Sequence, residues 1–103
     1  MYISHDVVYR IFSVELVSTD AASADMELFK EISQRLFKNK VITTINIDNV
    51  ETYTANGNQL SRFDIHLCNT HDPSAVRLTN VEKALQGLFD NHENYSDMQI
   101  RLN

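Results

Sequence analysis

Apolar residues recur along the chain with a period of two residues in some segments and of three to four residues in others. Residues 7–16 are rich in Val, Ile, Tyr and Phe, and Phe12, Val14 and Leu16 fall on one side of an alternating pattern. This period predicts a β-strand. The same period predicts strands in three further segments, residues 41–54, 60–69 and 95–102.

The alternation within residues 41–54 changes its parity at Asp48-Asn49, which indicates a bulge or a tight turn at that point. A few residues later, Asn56-Gly57 separates two strand patterns. Asn-Gly accommodates the positive φ angles of a type I′ turn, so we expect the two flanking strands to form a β-hairpin.

A helical period follows the first strand and continues to about Phe37. Phe29, Ile32 and Leu36 recur at helical spacing, with Met26 one turn before them, which predicts one apolar helix face. Acidic residues precede basic ones along this segment, as the helix dipole favours. Three residues are candidates for the N-cap: Thr19, Asp20 and Ser23.

A second helical period follows the third strand. Asp72-Pro73 supplies the residue types of an N-cap and a first helical position. Thr79 and Glu82 have the spacing of a capping box, which would start the helix later. The apolar stripe of this helix comprises Ala75, Leu78, Val81, Leu85, Leu88 and Phe89.

The order of these elements is β-α-β-β-α-β, the arrangement of a ferredoxin-like fold. We therefore expect an α+β protein in which two helices pack on one face of an antiparallel sheet. Right-handed crossovers would place the first and third strands in the centre and the second and fourth at the edges. The 103 residues suit a single domain, 1–103, whose core needs no disulfide or structural metal.

The composition narrows the class of protein. The chain has 43% hydrophobic and 22% charged residues, which is ordinary for a globular domain. Its one cysteine, Cys68, has no partner for an intrachain disulfide, and a reducing compartment is the simpler interpretation. The sequence has no secretory-type apolar region and no membrane-length apolar run, so we expect a cytoplasmic location, in the host cytoplasm if the protein is viral.

The net charge of −5 bears on the kind of partner. Direct nucleic-acid binding, which depends on Lys and Arg contacts with phosphates, is not expected. RNA-binding domains of this fold stack bases on aromatic residues of the central strands, whereas here Tyr9 and His66 stand beside the acids Glu15 and Asp64. A protein partner with a basic surface fits the charge better.

The face of the sheet away from the helices, which we call the open face, is one candidate functional surface. Its predicted members are Tyr9, Ile11, Ser13, Glu15, Thr44, Asn46, Asp64, His66, Cys68, Gln99 and Arg101. Three interpretations stand: a partner or homodimer surface, a shallow ligand site, or an ordinary solvated sheet face. For the first of these, Tyr9 and His66 are the candidate partner-binding residues.

One end of the domain, which we call the acidic pole, is the second candidate surface. The first helix begins there, the hairpin turns there and the second helix ends there. Residues 11–29, 41–61 and 84–100 contain no Lys or Arg. The candidate partner-binding residues of the pole are Asp20, Asp25, Asp90, Glu93 and Asp97, with Glu51 as a possible neighbour. A solvated surface with acids at a helix N-terminus is the alternative explanation.

The densest group of potential ligands or catalytic residues comprises Asp64, His66, Cys68, His71 and Asp72. A zinc site needs four ligands, usually as two separated pairs, and this segment offers no second pair. Cys68 as a nucleophile would use His66 as its base, but no oxyanion loop is evident. Phosphate-binding, dinucleotide-binding and EF-hand patterns are absent from the sequence. We therefore expect no metal, no cofactor and no catalytic residues.

These patterns favour a non-enzymatic protein-binding or regulatory module. Small size, acidity and the lack of motifs fit an inhibitor from a phage or mobile element that docks an acidic surface on a basic nucleic-acid-handling protein. Two alternatives remain. One is a small dimeric enzyme or ligand-binding protein with a pocket on the open face, and the other is a structural component of a viral assembly.

Overall fold

Among the residues that the structure describes, four strands and two helices follow one another in the predicted order. The computed structural model describes residues 9–18, 25–69, 72, 75–90, 92 and 95–103, apart from the side chain of Ser96. The elements are β1 (Arg10–Ser18), α1 (Met26–Phe37), β2 (Thr44–Ala55), β3 (Asn58–Cys68), α2 (Leu78–Phe89) and β4 (Tyr95–Leu102). Residues 7 and 8, the predicted start of the first strand, lie outside the described residues.

The strands form one antiparallel sheet in the order β2-β3-β1-β4. β1 and β3 are therefore the central strands, and β2 and β4 are the edges, as the sequence predicts. The ferredoxin-like α+β fold is confirmed.

The two helices cover one face of the sheet and form the core with it. The apolar strand residues with no exposed surface are Phe12, Val14, Leu16, Phe63, Ile65 and Leu67. The buried helix residues are Leu28, Ile32 and Leu36 from α1 and Val81, Leu85 and Phe89 from α2. Burying one large apolar side chain contributes roughly 1.5–3 kcal/mol. The apolar contacts that stabilise the fold therefore lie between the helices and the helix side of the sheet.

The turn between β2 and β3 has the predicted geometry. Asn56 and Gly57 have φ angles of 52° and 79°. They separate Ala55 and Asn58, which pair directly. Two consecutive positive φ angles are the feature of a type I′ turn, so the hairpin prediction is confirmed.

The parity break in β2 is a β-bulge. Asn49 has a φ of 53°, and the register with β3 shifts between Asp48 and Glu51. The extra residue reverses the side-chain alternation. Tyr53 consequently lies on the open face, opposite Leu60.

A second bulge lies near the start of β4. Val17 pairs with Asp97 and Ser18 pairs with Tyr95, so Ser96 is the extra residue. Simple alternation from Asp97 would place Tyr95 on the open face, but the bulge turns this side chain to the helix side, where it is 3% exposed.

α1 begins later than the sequence suggests. Its N-cap is Asp25, whose Oδ1 accepts a hydrogen bond from the Leu28 N–H at 3.0 Å. The prediction of Thr19, Asp20 or Ser23 as the N-cap is wrong, because Asp25 caps α1, and the three residues themselves lie outside the described residues. Several residues before the helix have suitable side-chain acceptors, and the cap is the one placed directly before the turn that buries Leu28. Met26, predicted on the apolar stripe, is 80% exposed.

α2 also begins at an unexpected position. It starts at Leu78, after Arg77, which makes no side-chain cap hydrogen bond. The carbonyl of Asp72 accepts the N–H of Ala75 at 3.0 Å, so this segment makes a short turn instead of the helix start. Val76 then enters the core at 2% exposure. Both predicted starts are wrong: Asp72-Pro73, and the capping box of Thr79 and Glu82.

Candidate functional site

Three elements meet at the acidic pole around the ring of Tyr95. Its centroid lies 5.9 Å from that of Phe89, at the end of α2, and 5.1 Å from that of His92. Nε2 of His92 lies 3.2 Å from a carboxylate oxygen of Glu31 on α1. These contacts tie the end of α2 and the start of β4 to α1, which fixes the geometry of the pole.

The charges of the pole act on the hydroxyl of Tyr95. Burial raises the pKa of Tyr95, and the carboxylates of Asp25 and Glu31 raise it further. Both carboxylates therefore lie near the start of β4. Because Asp25 also caps α1, the helix holds this charge in place.

Asp90 and Asp97 are the other described members of the pole. Asp90 follows Phe89 directly, is exposed, and accepts a hydrogen bond from Nε2 of Gln86 at 2.8 Å. Asp97 is exposed on β4 and pairs with Val17, which places it on the open-face side of the sheet. The described acids of the pole thus come from three elements: Asp25 caps α1, Asp90 follows α2 and Asp97 lies on β4.

The described carboxylates of the pole are not neutralised by basic side chains. Among the residues that the structure describes, no Lys or Arg forms an ion pair with Asp25, Asp90 or Asp97. Asp20 and Glu93, the remaining predicted members, lie outside the described residues. The pole therefore presents at least three exposed carboxylates.

Tyr9 and His66, the predicted partner-binding residues of the open face, lie together. Their rings meet edge to face with centroids 6.2 Å apart, and Nε2 of His66 lies 2.8 Å from Oδ1 of Asp48. His66 pairs with Ile11, which lies about 20 Å along β1 from the position opposite Asp97. The predicted partner-binding residues therefore form two separate groups.

Asp64 is held in the middle of the open face by two donors. Oγ of Ser13 and Nδ2 of Asn49 each donate to one of its carboxylate oxygens at 2.9 Å. The hydrogen bond from Asn49 contributes most to lowering the pKa of Asp64, and partial burial opposes this effect. The Ser13 hydroxyl and the charges of His66 and Arg101 lower the pKa further. Asp64 is thus ionised and hydrogen-bonded within the chain.

Glu15 is bonded to side chains from both strands of the hairpin. The hydroxyl of Tyr53 donates to Oε2 at 2.7 Å, and the guanidinium of Arg62 lies 3.6 Å from the same oxygen. The hydrogen bond between Tyr53 and Glu15 is the main cause of the raised pKa of Tyr53. Arg62 also lies over the Tyr53 ring, 5.7 Å from its centroid. Glu51, suggested as a neighbour of the acidic pole, lies opposite Arg62 in the ladder.

A shallow depression of about 200 Å³ lies on the open face beside these groups. Its lining includes Ser13, Glu15, Arg62, Gln99 and Arg101. Pockets for drug-sized ligands usually have volumes of about 300–1,000 Å³. The depression is therefore large enough only for a small group.

Alternation with His66 places Cys68 on the open face. Its side chain is nevertheless inaccessible there, because Cys68 is 1% exposed. Its carbonyl accepts hydrogen bonds from the N–H and the hydroxyl of Thr43. Within the described part of the chain, no three His, Cys, Asp or Glu side chains are grouped to hold a metal ion. His71 lies outside the described residues. No described helix combines the length and the apolar composition that a membrane crossing requires.

Two residues that shape these surfaces carry little local sequence signal. Glu31 and His92 meet across 61 positions of sequence, and neither stands in a motif. Tyr53 is different, because the parity break at Asp48-Asn49, followed forward along β2, already places it on the open face.

The fold recurs in solved structures of low sequence identity. The C-terminal domain of the MgtC protein from Mycobacterium tuberculosis matches with a TM-score of 0.54 and 15% identity, over 92% of this chain and 88% of that one. The de novo designed protein Foldit4 matches with a TM-score of 0.51 and 15% identity, over 91% of this chain and 96% of that one. At this identity the likeness establishes the fold alone. No known protein family matches the chain, and no curated protein matches it.

Proposed function

We propose that this protein is a non-enzymatic protein-binding module that docks the acidic pole on a basic surface of another protein. The observation that carries the proposal is that Asp25, Asp90 and Asp97 are exposed and are ion-paired with no Lys or Arg among the described residues. Such carboxylates attract a basic surface, and the attraction is screened beyond about 8–10 Å at moderate salt. Charge of this kind mainly raises the rate and the specificity of association.

Contacts within the chain hold the described acids of the pole. The charge of Asp25 is fixed by its hydrogen bond to the Leu28 N–H, and Asp97 lies in a paired strand. The contact of His92 with Glu31 joins the elements that carry these acids. A surface ordered before binding loses less side-chain and loop entropy when a partner docks.

The open face supports the choice of the pole by contrast. Three of its acids are engaged within the chain: Glu15 with Tyr53 and Arg62, Asp48 with His66, and Asp64 with Ser13 and Asn49. A basic partner would have to replace these bonds before gaining new ones, so less of the interaction would appear as affinity.

The partner that we propose is a nucleic-acid-handling protein. The groove that such a protein uses for phosphates is basic, and the acidic pole could occupy it in place of nucleic acid. On this proposal the chain binds no nucleic acid itself, consistent with its net charge of −5, and acts in the cytoplasm as an inhibitor of phage or mobile-element type. The negative net charge of the chain supports a partner with a basic surface.

A small-ligand site on the open face is the second candidate function. It is favoured by the depression of about 200 Å³, which Arg62 and Arg101 both line. Two guanidinium groups beside one depression suit a small anion such as a carboxylate or phosphate group. This candidate predicts a ligand that raises Tm of the isolated protein, whereas docking through the pole requires no small molecule.

The docking proposal is tested by affinity capture with matched variants. Wild-type protein, a pole variant (Asp90→Lys with Glu93→Lys) and a control variant (Asp72→Lys with Glu82→Lys) are used as baits at low and at high salt. Both variants change the net charge by the same amount, and Asp97 is kept because it lies on the edge strand.

We expect one basic, nucleic-acid-handling protein to be captured by the wild type and by the control at low salt. The pole variant should lose it, and high salt should release it from all baits. Equal capture by the pole variant and the control would overturn docking through the acidic pole. Unfolding curves of all three proteins show whether the variants keep the fold.

A further inference from the structure

β4 presents an outer edge that no described strand covers. The N–H of Asn103 donates to the carbonyl of Ile11 at 2.9 Å, so the odd-numbered residues at this end of the chain bond to β1. Because backbone groups alternate in direction along a strand, the N–H and C=O groups of Met98, Ile100 and Leu102 point outwards. A row of outward groups of this kind is a template for another strand.

The order of side chains along β4 is complementary to itself. When a second copy lies antiparallel beside the first with the two Gln99 residues opposite each other, Asp97 of each copy lies opposite Arg101 of the other. Both side chains are exposed. They would occupy non-hydrogen-bonded pairs, in which the side chains approach most closely. On the helix side, Met98 would lie opposite Ile100, and these residues would exchange the backbone hydrogen bonds.

The charges select this register among the alternatives. A slip by one residue would place side chains of the open face opposite side chains of the helix side. The next permitted registers are centred on Met98 or Ile100. In both of them, Asp97 and Arg101 lie opposite uncharged residues. Opposite charges directly across two strands stabilise the pair, and like charges destabilise it.

The other edge of the sheet is less suited to pairing. β2 is interrupted by the bulge at Asn49, and bulges are a common means of protecting an edge strand. The ladder of β4 with β1 is regular from Asp97 to Leu102. Ile100 is partly buried and Leu102 is 41% exposed, so a neighbouring strand would cover apolar surface as well.

We propose that the protein forms a homodimer through β4, in which the two four-stranded sheets join into one continuous sheet with all helices on the same side. The strand that pairs with β4 is β4 of a second copy of this chain. Asp97 and Arg101 both lie on this strand, so a two-fold axis forms the Asp97–Arg101 pair twice. The dimer goes beyond the docking proposal and does not depend on it. In the dimer Asp97 is neutralised, and Asp25 and Asp90 remain as exposed charges of each acidic pole.

Reciprocal charge variants test the dimer. Asp97→Arg places positive charges opposite each other across the proposed interface, and Arg101→Asp places negative charges opposite each other. An equal mixture of the two variants restores opposite charges at both positions. Asp90→Lys serves as a control, because it changes the net charge as much as Asp97→Arg does but lies off the edge.

Sedimentation equilibrium over a range of protein concentrations gives the dissociation constant of each sample. The wild type and Asp90→Lys should reach a mass twice the 11.9 kDa of the chain. Each edge variant alone should dissociate at least about tenfold more readily, and the mixture should return to the wild-type behaviour.

Three results would overturn the proposal. They are a wild-type protein that stays monomeric at millimolar concentration, edge variants that dimerise as well as the wild type, and a mixture no tighter than its components. Circular dichroism of each variant monitors the fold, and the mixture provides a test in which both chains carry their substitutions. Because the assay contains no other protein, its outcome is separate from that of the docking proposal.

Discussion

Asp25 joins the fold to the proposed function, because one carboxylate both caps α1 and contributes charge to the acidic pole. Asp25→Asn keeps an oxygen that can accept the Leu28 N–H but removes the charge. Asp25→Ala removes the acceptor and the charge together. The two variants therefore separate helix capping from partner binding.

The magnitude of the stability effect follows from the single hydrogen bond at the cap. Its length is 3.0 Å, and loss of such a cap lowers the free energy of unfolding by about 1 kcal/mol. For a chain of 103 residues, the entropy of unfolding near Tm is about 0.2 kcal/mol/K. We therefore expect Asp25→Ala to lower Tm by about 4–5 °C. Asp25→Asn should change it by less than about 2 °C, because Asn is an equally good N-cap.

The charge effect is read from Tyr95 and from the partner. Both variants remove a carboxylate that raises the pKa of Tyr95, so alkaline ultraviolet titration should show this tyrosine ionising at a lower pH than in the wild type. A Tyr95→Phe variant assigns the signal. Both variants should also bind the captured partner more weakly at low salt.

Thermal unfolding, followed by circular dichroism, tests whether the hydrogen bond from the Leu28 N–H to Asp25 stabilises the protein. If Asp25→Asn lowers Tm as much as Asp25→Ala does, the stabilisation arises from the charge, and the cap argument is refuted. If Asp25→Asn binds the partner as tightly as the wild type, Asp25 does not belong to the docking surface.

Three further changes follow from single positions. Gly57→Ala should lower the free energy of unfolding by about 1 kcal/mol in urea titrations, because φ is +79° there; an unchanged midpoint would contradict the turn geometry. Gly87→Ala should raise it by up to about 1 kcal/mol, since this helical position has room for a methyl group, with Nη1 of Arg35 3.9 Å away; a loss of stability would contradict it. Asp64→Asn should destabilise the protein at neutral pH. The lowered pKa of Asp64 gives stability that is complete above about pH 4 and is lost as the pH falls through the folded-state pKa. The free energies of unfolding of the wild type and Asp64→Asn should therefore converge in acid, and a difference that does not change with pH would refute this.

The fold could be predicted because most of each strand has an alternating local pattern, even where a bulge interrupts β2 and β4. The alternation of Phe12, Val14 and Leu16 matches their complete burial, and Asn56-Gly57 forms the turn for which its residues are suited. Such signals depend on neighbouring positions only, so they can be read without knowing the tertiary structure.

The helix starts could not be predicted because several nearby residues offer the same chemistry. Thr19, Asp20, Ser23 and Asp25 all have a side-chain oxygen for a cap, so the residue types alone do not distinguish them. α2 begins at Leu78 with no side-chain cap at all, so no sequence signal marks its start.

The candidate surfaces depended on the two bulges and on long-range contacts. One extra residue at Ser96 turns Tyr95 from the open face into the core, which strict alternation does not anticipate. The pairing of Glu31 with His92 joins distant segments. The charge asymmetry is visible in the sequence, whereas the engagement of the open-face acids depends on contacts between residues that are distant in sequence.

On the docking proposal, the exposed carboxylates of the acidic pole bind a basic protein surface. The most direct test of this proposal is the affinity of the captured, purified partner for the wild type, the pole variant and the control variant over a range of salt concentrations. We expect the wild type and the control to bind at least about tenfold more tightly than the pole variant at low salt, with the three affinities converging as salt screens the charges. Affinities that are equal for all three proteins, or that do not change with salt, would contradict docking through the acidic pole.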